Sequence, residues 1–149
     1  MAAIAKEYPV TRYLAPLPPP PDFTSKAERE RLSAPALKAF FNIVERWQIR
    51  DEDARELLGG VSNGPYYQMK KNPEGRILSA DQLFRISYLI GIFRALNTLH
   101  GQPLADQWIR LPNSNRIFNG LPPLEYMKKG GQLAMEIVRG LVEARIQGA

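Results

Sequence analysis

The chain has 149 residues, no cysteine, a single histidine and a formal net charge of +5 at pH 7. A chain of this length can bury an apolar core without a metal or a disulfide, and the lack of cysteine excludes disulfide bonds and thiolate metal sites. The charge permits an anionic partner such as nucleic acid, but it is too small to bind one without a dedicated motif.

The first 26 residues are rich in proline. They include Tyr8, Pro9, Tyr13, Pro16 and the run of four prolines from Pro18 to Pro21. Proline favours extended polyproline II over a packed element. We predict a flexible arm over residues 1–26, which is either a disordered tail or an arm that binds a partner.

Three helices are predicted next. Helical periodicity begins near Lys26. The apolar face of this first helix comprises Leu37, Phe40, Phe41, Val44 and Trp47. A short second helix runs from Asp51 to Leu58 and is ended by two glycines. A third begins at Ser62 or Asn63, tolerates a proline in its first turn and closes at Asn72.

This order of helix, short helix, glycine turn and short basic helix is typical of a helix-turn-helix DNA-binding unit. In such a unit the third helix enters the major groove. The predicted DNA-binding residues are Ser62, Tyr66, Gln68, Lys70 and Lys71. The alternative is a solvated basic face on a structural helical bundle, and the turn is a residue or two longer than usual.

A long central helix is predicted from Ser79 to His100. Ser79 and Gln82 form a capping-box pattern at its start, and Gly101 is placed to end it. Apolar residues at helical spacing lie on more than one side. One stripe comprises Leu83, Ile86, Ile90 and Phe93, and the other comprises Phe84, Tyr88, Ile92, Ala95 and Leu99. We therefore expect helical units to pack on both sides of it.

The chain after the central helix is predicted to form a packed loop and further helices. One helical segment covers residues 103–108, a short helix runs from Pro123 to Gly130, and the last runs from Gln132 to Gln147. The predicted apolar face of the last helix is Leu133, Ala134, Ile137, Val138, Leu141 and Ala144. Arg145 falls on that face by helical angle, either as a cation at a helix end or as an anchor for a partner.

Several motifs resemble the Xre/MbcA/ParS antitoxin family. They are Arg-Ile-Leu-Ser at residues 76–79, Trp108, the run P-N-x-x-x-x-F-x-G-x-P-P-L-E-Y-M over residues 112–127, and a glycine-led last helix. The resemblance extends from about residue 33 to 148. It implies a helix-turn-helix domain over residues 27–101 joined to a helical toxin-binding domain over residues 102–149.

The resemblance also implies a partner. Antitoxins of this family pair with RES-domain toxins that consume NAD, occlude the toxin's NAD pocket and repress their own operon. Combined with residue chemistry, it places Asn113, Phe118, Leu124, Met127 and Arg145 at or near the toxin contact. Phe118 and Leu124 are also the residues most suited to holding the loop together.

The sequence therefore predicts an all-α antitoxin that binds a cognate RES toxin and operator DNA as a homodimer. The alternatives are a stand-alone transcriptional regulator whose C-terminal unit dimerises, and a structural adaptor. An enzyme is disfavoured because the sequence has no cysteine, one histidine and no suitable carboxylate pair, and we expect no cofactor or metal. No run reaches the roughly 20 apolar residues of a membrane span and no signal peptide is apparent, so a cytoplasmic protein without a membrane partner is expected.

Overall fold

A computed structural model describes residues 20–148, which form an all-α body without a strand. This confirms the predicted fold class. The α-helices are α1 (Lys26–Arg46), α2 (Asp51–Leu57), α3 (Asn63–Lys71), α4 (Ala80–Leu99), α5 (Leu104–Gln107) and α6 (Pro123–Ile146). Short 3-10 turns cover Pro73–Gly75, Trp108–Arg110 and Arg116–Phe118.

The end of the predicted arm belongs to the folded body. Phe23 is 8% exposed, and its ring meets the Phe84 ring edge-on with the centroids 4.9 Å apart. Ser25 caps α1 by accepting a hydrogen bond from the backbone N–H of Glu28. Residues 20–25 of the predicted arm therefore join the helical body, and its residues 1–19 lie outside the described part of the chain.

The capping box at the start of α4 is confirmed. The Ser79 hydroxyl accepts from the Gln82 N–H, and the Gln82 amide oxygen accepts from the Ser79 N–H, both at 3.1 Å. Two of the backbone donors that every helix start leaves without an intrahelical partner are thereby satisfied. The start of α4 is fixed by its own sequence, before any tertiary contact is considered.

The central helix packs against α1 and α6, as the two apolar stripes predicted. The residues that it buries are Leu83, Ile86, Leu89, Ile92, Ala95 and Leu96. The predicted stripes were wrong in detail, because they omit Leu89 and Leu96 and include Phe84, which is 38% exposed. Ile90 is only half-buried, since it lies at a groove between the helices rather than beneath them.

The predicted break between the last two helices is confirmed. It lies at Gly131, which adopts the non-helical angles φ 67° and ψ −145°, so α6 consists of two helical halves that meet at a kink. A residue with a Cβ is strained at this φ. A Cβ on Gly131 would also lie 3.4 Å from the Arg85 guanidinium. The glycine lets α6 change direction and lie along α4.

After the kink, α6 buries a face that agrees only in part with the predicted one, at Ala134 and Val138. Its buried residues there are Ala134, Met135, Val138 and Val142. Leu133 and Ile137, predicted to be buried, are 66% and 41% exposed. The helix is apolar on two sides, and the sequence pattern did not indicate which side packs on α4.

We expect Ile92→Asp to unfold the whole protein. Ile92 is 0% exposed, so the substitution places an unpartnered carboxylate in an apolar core at a cost of more than about 3 kcal/mol. Asn97→Asp, on the exposed side of the same helix, is the matched control and should cost less than about 1 kcal/mol. Urea unfolding followed by circular dichroism measures both, and equal losses would contradict the burial of α4.

Candidate functional site

The turn between α2 and α3, residues 58–62, depends on two glycines. Gly59 and Gly60 adopt φ values of 97° and 86°, which residues with a Cβ rarely adopt. Their N–H groups donate to the carbonyls of Glu56 and Arg55, both at 2.9 Å. The turn exceeds the usual three or four residues of a helix-turn-helix, as the sequence indicated.

Tyr66 does not lie on the exposed side of α3, so its predicted exposure to DNA is wrong. It is 0% exposed, and its hydroxyl donates to Asp51 Oδ1 at 2.8 Å. Burial, followed by the neighbouring Asp51 carboxylate, raises the pKa of Tyr66. The ring meets Phe41 at a centroid distance of 5.5 Å, so Tyr66 anchors α3 to α1 and α2.

Asp51 also organises the rest of α3. It accepts from the Tyr67 hydroxyl at 3.0 Å and from Lys70 Nζ at 3.1 Å. The hydrogen bond from Tyr66 is the largest cause that lowers the pKa of Asp51. The carboxylate at the start of α2 thus holds three side chains of the candidate recognition helix in place.

The exposed side of α3 carries the other predicted DNA-binding residues. Ser62, Gln68, Lys70 and Lys71 are all exposed. The sequence analysis missed Tyr67, which is 47% exposed and lies on the same side, three and four residues before the two lysines. This helical spacing from Lys70 and Lys71 could have identified Tyr67 from the sequence. This face offers an amide, two cations and a phenol, groups that can reach base edges and phosphates.

The loop before α6 closes around Phe118. This residue is 1% exposed, and its ring meets the rings of Trp108 and Tyr126 edge-on at 6.3 Å and 5.3 Å. Asn119 adopts φ 51° to turn the chain. The loop is therefore a compact packed element, as predicted, with an aromatic centre.

The predicted toxin-binding residues divide into buried and accessible ones. Phe118, Leu124 and Met127 are 1%, 6% and 1% exposed, so they belong to the core and support the surface from beneath. Asn113 is half-buried, and its side chain accepts from the Asn115 N–H at 2.9 Å. Arg145 is exposed. By helical angle it lies on nearly the same side as the buried Val138, seven residues earlier, but it falls in the last turn of α6, beyond the packed part of the helix.

Beside Arg145, α6 presents an outer apolar face, which we define as Leu133, Ile137 and Leu141. The first two are exposed, and Leu141 is half-buried. Residues four apart lie on one side of a helix. The C-terminal unit thus presents an apolar strip and a cation to solvent.

An ion cluster joins the helix-turn-helix unit to α6, and the sequence analysis did not identify it. Lys128 Nζ lies 2.7 Å from Asp53 Oδ1 and 3.3 Å from Glu125 Oε2. The side chains of Lys128 and Asp53 are 13% and 8% exposed. The hydrogen bond to Asp53 is the largest cause that raises the pKa of Lys128. This contact fixes the first half of α6 against α2.

A second polar junction surrounds Arg85 on α4. Its guanidinium donates to Asp81 Oδ2 at 2.9 Å and to the Leu57 carbonyl at 3.4 Å. Gln132, which follows the kink in α6, donates to the other oxygen of Asp81 at 2.8 Å. Asp81 and Arg85 therefore touch both the end of α2 and the bend in α6.

Comparison with known proteins agrees with this architecture. Residues 26–91 match the model of the antitoxin Xre-like helix-turn-helix domain. Over 113 residues the chain is 34% identical to the uncharacterized protein y4oB of Sinorhizobium fredii (strain NBRC 101917 / NGR234), which covers 75% of this chain and 84% of that protein. The chain carries an Xre-like helix-turn-helix domain and belongs to one family with y4oB. No solved structure matches the chain.

The Xre-like domain does not end at a gap between two bodies. Its matched range begins at the first residue of α1 and ends at Gly91, in the middle of α4. The second half of α4 continues beyond the match and packs with the C-terminal unit. The predicted domain boundary at residue 101 stays a prediction, and the matched domain is of a regulatory rather than catalytic type.

Two features of residues 20–148 bear on other classes of function. No group of three or more His, Asp or Glu side chains in that range is arranged to hold a metal ion. Within the same range, no helix has the length and apolar character needed to cross a bilayer.

Lys128→Met should lower the free energy of unfolding by about 1–3 kcal/mol, because it leaves the buried Asp53 carboxylate without its closest partner. Lys129→Met is the matched control, since Lys129 is the exposed neighbour. Urea unfolding of both variants at neutral pH makes the comparison, and equal stabilities would contradict a structural role for the cluster.

The contribution of Lys128 should also depend on pH. Its folded pKa lies above the ordinary value of 10.5, so its stabilising effect is complete below that value and is lost as the pH rises through the raised pKa. The stability gap between wild type and Lys128→Met should therefore be constant through neutral pH and narrow only in strong base. A gap that narrows between neutral pH and about pH 9 would contradict this assignment.

Proposed function

We propose that this protein is the antitoxin of a type II toxin–antitoxin pair, which binds operator DNA through α3 and its toxin through the C-terminal unit. The observation that carries the proposal is the antitoxin Xre-like domain over residues 26–91. That domain continues, through one shared helix, into a unit with an exposed apolar strip and an exposed arginine.

The exposed side of α3 supports the DNA-binding half of the proposal. Lys70 and Lys71 supply cations for phosphates, and Gln68 supplies an amide that can pair with a base edge. Tyr66 contributes indirectly, because its bond to Asp51 holds the helix at its angle. The two glycines at positive φ fold the five-residue turn back onto the end of α2.

Replacing both Lys70 and Lys71 by alanine should weaken binding to a duplex taken from upstream of the protein's own gene. Each lost phosphate contact should lower the slope of log K against log salt by about one. Lys129→Ala, an exposed lysine on α6, is the control and should leave the slope unchanged. Fluorescence anisotropy at several salt concentrations gives the slopes. If the double variant keeps the wild-type slope, α3 does not contact the duplex.

The C-terminal unit supports the toxin-binding half. We assign the contact to the outer apolar face of α6, Asn113 and Arg145. The resemblance of residues 108–127 to the Xre/MbcA/ParS antitoxins favours a RES-domain toxin that consumes NAD, whose active site the antitoxin would occlude. The exposed cation of Arg145 suits a carboxylate at the mouth of that site.

Arg145→Glu should weaken toxin binding at least about tenfold, because two negative charges would face each other across the interface. Lys129→Glu makes the same change of charge at an exposed site about four turns earlier on α6. Binding is measured by pull-down and titration with the toxin encoded beside this gene, and growth rescue gives a functional readout. DNA binding should stay intact in both variants. Full rescue by Arg145→Glu would move the contact to the loop around Asn113.

A stand-alone regulator is the second candidate, and the outer apolar face of α6 favours it. The same strip of Leu133, Ile137 and Leu141 is suited to self-association as a homodimer. The double variant Leu133→Glu/Ile137→Glu distinguishes the antitoxin from the stand-alone regulator. Loss of toxin binding with an unchanged oligomeric state supports the antitoxin, whereas conversion of a dimer to a monomer without any toxin contact supports the regulator.

A further inference from the structure

An apolar groove of about 460 Å³ lies between α1, α4 and α6. Its apolar lining includes Leu32, Leu83, Ile86 and Ile90, and its rim carries Arg139 and Glu143. The groove is separate from the exposed side of α3 and from the outer apolar face of α6, so neither proposed contact uses it. It also explains why Ile90, on the central helix, is only half-buried.

The chain enters the described part of the structure at this groove. Pro21 and Phe23 are part of its lining. Phe23 is fixed there by burial and by its edge-on contact with Phe84. The described part of the chain therefore begins beside the groove, and the segment before Pro20 is attached there.

The preceding segment has the length and composition to fill it. From Leu83 to Thr98, both of which line the groove, α4 extends about 22 Å. At about 3.1 Å per residue, roughly seven residues of polyproline II cover that distance. Residues 13–19 read Tyr-Leu-Ala-Pro-Leu-Pro-Pro, with no charged side chain.

The pattern within the segment also fits. Polyproline II has three residues per turn, so Leu14 and Leu17 would lie on one side and could both face the apolar lining. The next charged residue before the segment is Arg12, so the segment would bring no charge into the apolar lining. A proline-rich segment loses little conformational entropy when it binds in an extended form.

We propose that residues 13–19 bind in the α1–α4–α6 groove of their own chain. The segment covers the apolar lining of the groove. It contacts both α1 and α6, which are otherwise connected mainly by their packing on α4. It is an intramolecular ligand for the groove, and the competing occupant is the same segment of a second copy.

The chain has no cysteine, so a single nitroxide label can be attached at Ala15→Cys in the full chain. The amide signals of Gly91 and Thr98 should fall to less than half of their intensity relative to the reduced label. Ser87→Trp fills the groove from α4 and should restore these signals. Glu45→Trp, an exposed position on α1, is the control and should leave the broadening in place.

Three results would overturn the proposal. The first is full amide intensity at Gly91 and Thr98 in the labelled chain. The second is broadening that Ser87→Trp leaves unchanged. If that variant loses helical content, Thr98→Trp at the exposed end of the groove replaces it, and Gly91 alone is the reporter. The third is broadening that transfers to isotope-labelled chains mixed with spin-labelled ones, since the groove would then hold the segment of a second copy.

Discussion

The structure depends on the burial of α4 between α1 and α6. Ile86, Leu89 and Ile92 are each 1% exposed or less, and each such side chain removed from water contributes roughly 1.5–3 kcal/mol. Both α1 and α6 make their most extensive packing contact with α4. Because the Xre-like match ends at Gly91, within this helix, the domain and the C-terminal unit share one core.

Polar contacts at the first half of α4 set how the two units are oriented. The Asp81–Arg85 pair touches the end of α2 through the Leu57 carbonyl and touches α6 through Gln132. The buried contact between Lys128 and Asp53 also joins α6 to α2. The start of α6 therefore contacts α2 directly, and α2 is the helix that precedes the recognition turn.

Local patterns predicted what depends on local chemistry. The capping box of α4, the glycine turn after α2 and the break at Gly131 all follow from neighbouring residues, and each was found. Side-chain burial depended on distant partners and was predicted less well. Tyr66 is buried because Asp51, fifteen residues earlier, receives its hydroxyl, and α6 has two apolar sides of which periodicity could not select the inner one. The sequence did not indicate a structural role for Lys128, because its partner Asp53 is distant in sequence.

The presence of one tryptophan in each unit allows the most direct test of the shared core. Trp47 at the end of α1 is 0% exposed and Trp108 after α5 is 8% exposed. In Trp108→Phe and Trp47→Phe, each remaining tryptophan reports on its own unit while circular dichroism reports on all helices. We predict that fluorescence and helicity give the same urea midpoint within each variant, as two-state unfolding requires. Separate midpoints for fluorescence and helicity would show that α4 does not join the units into one core.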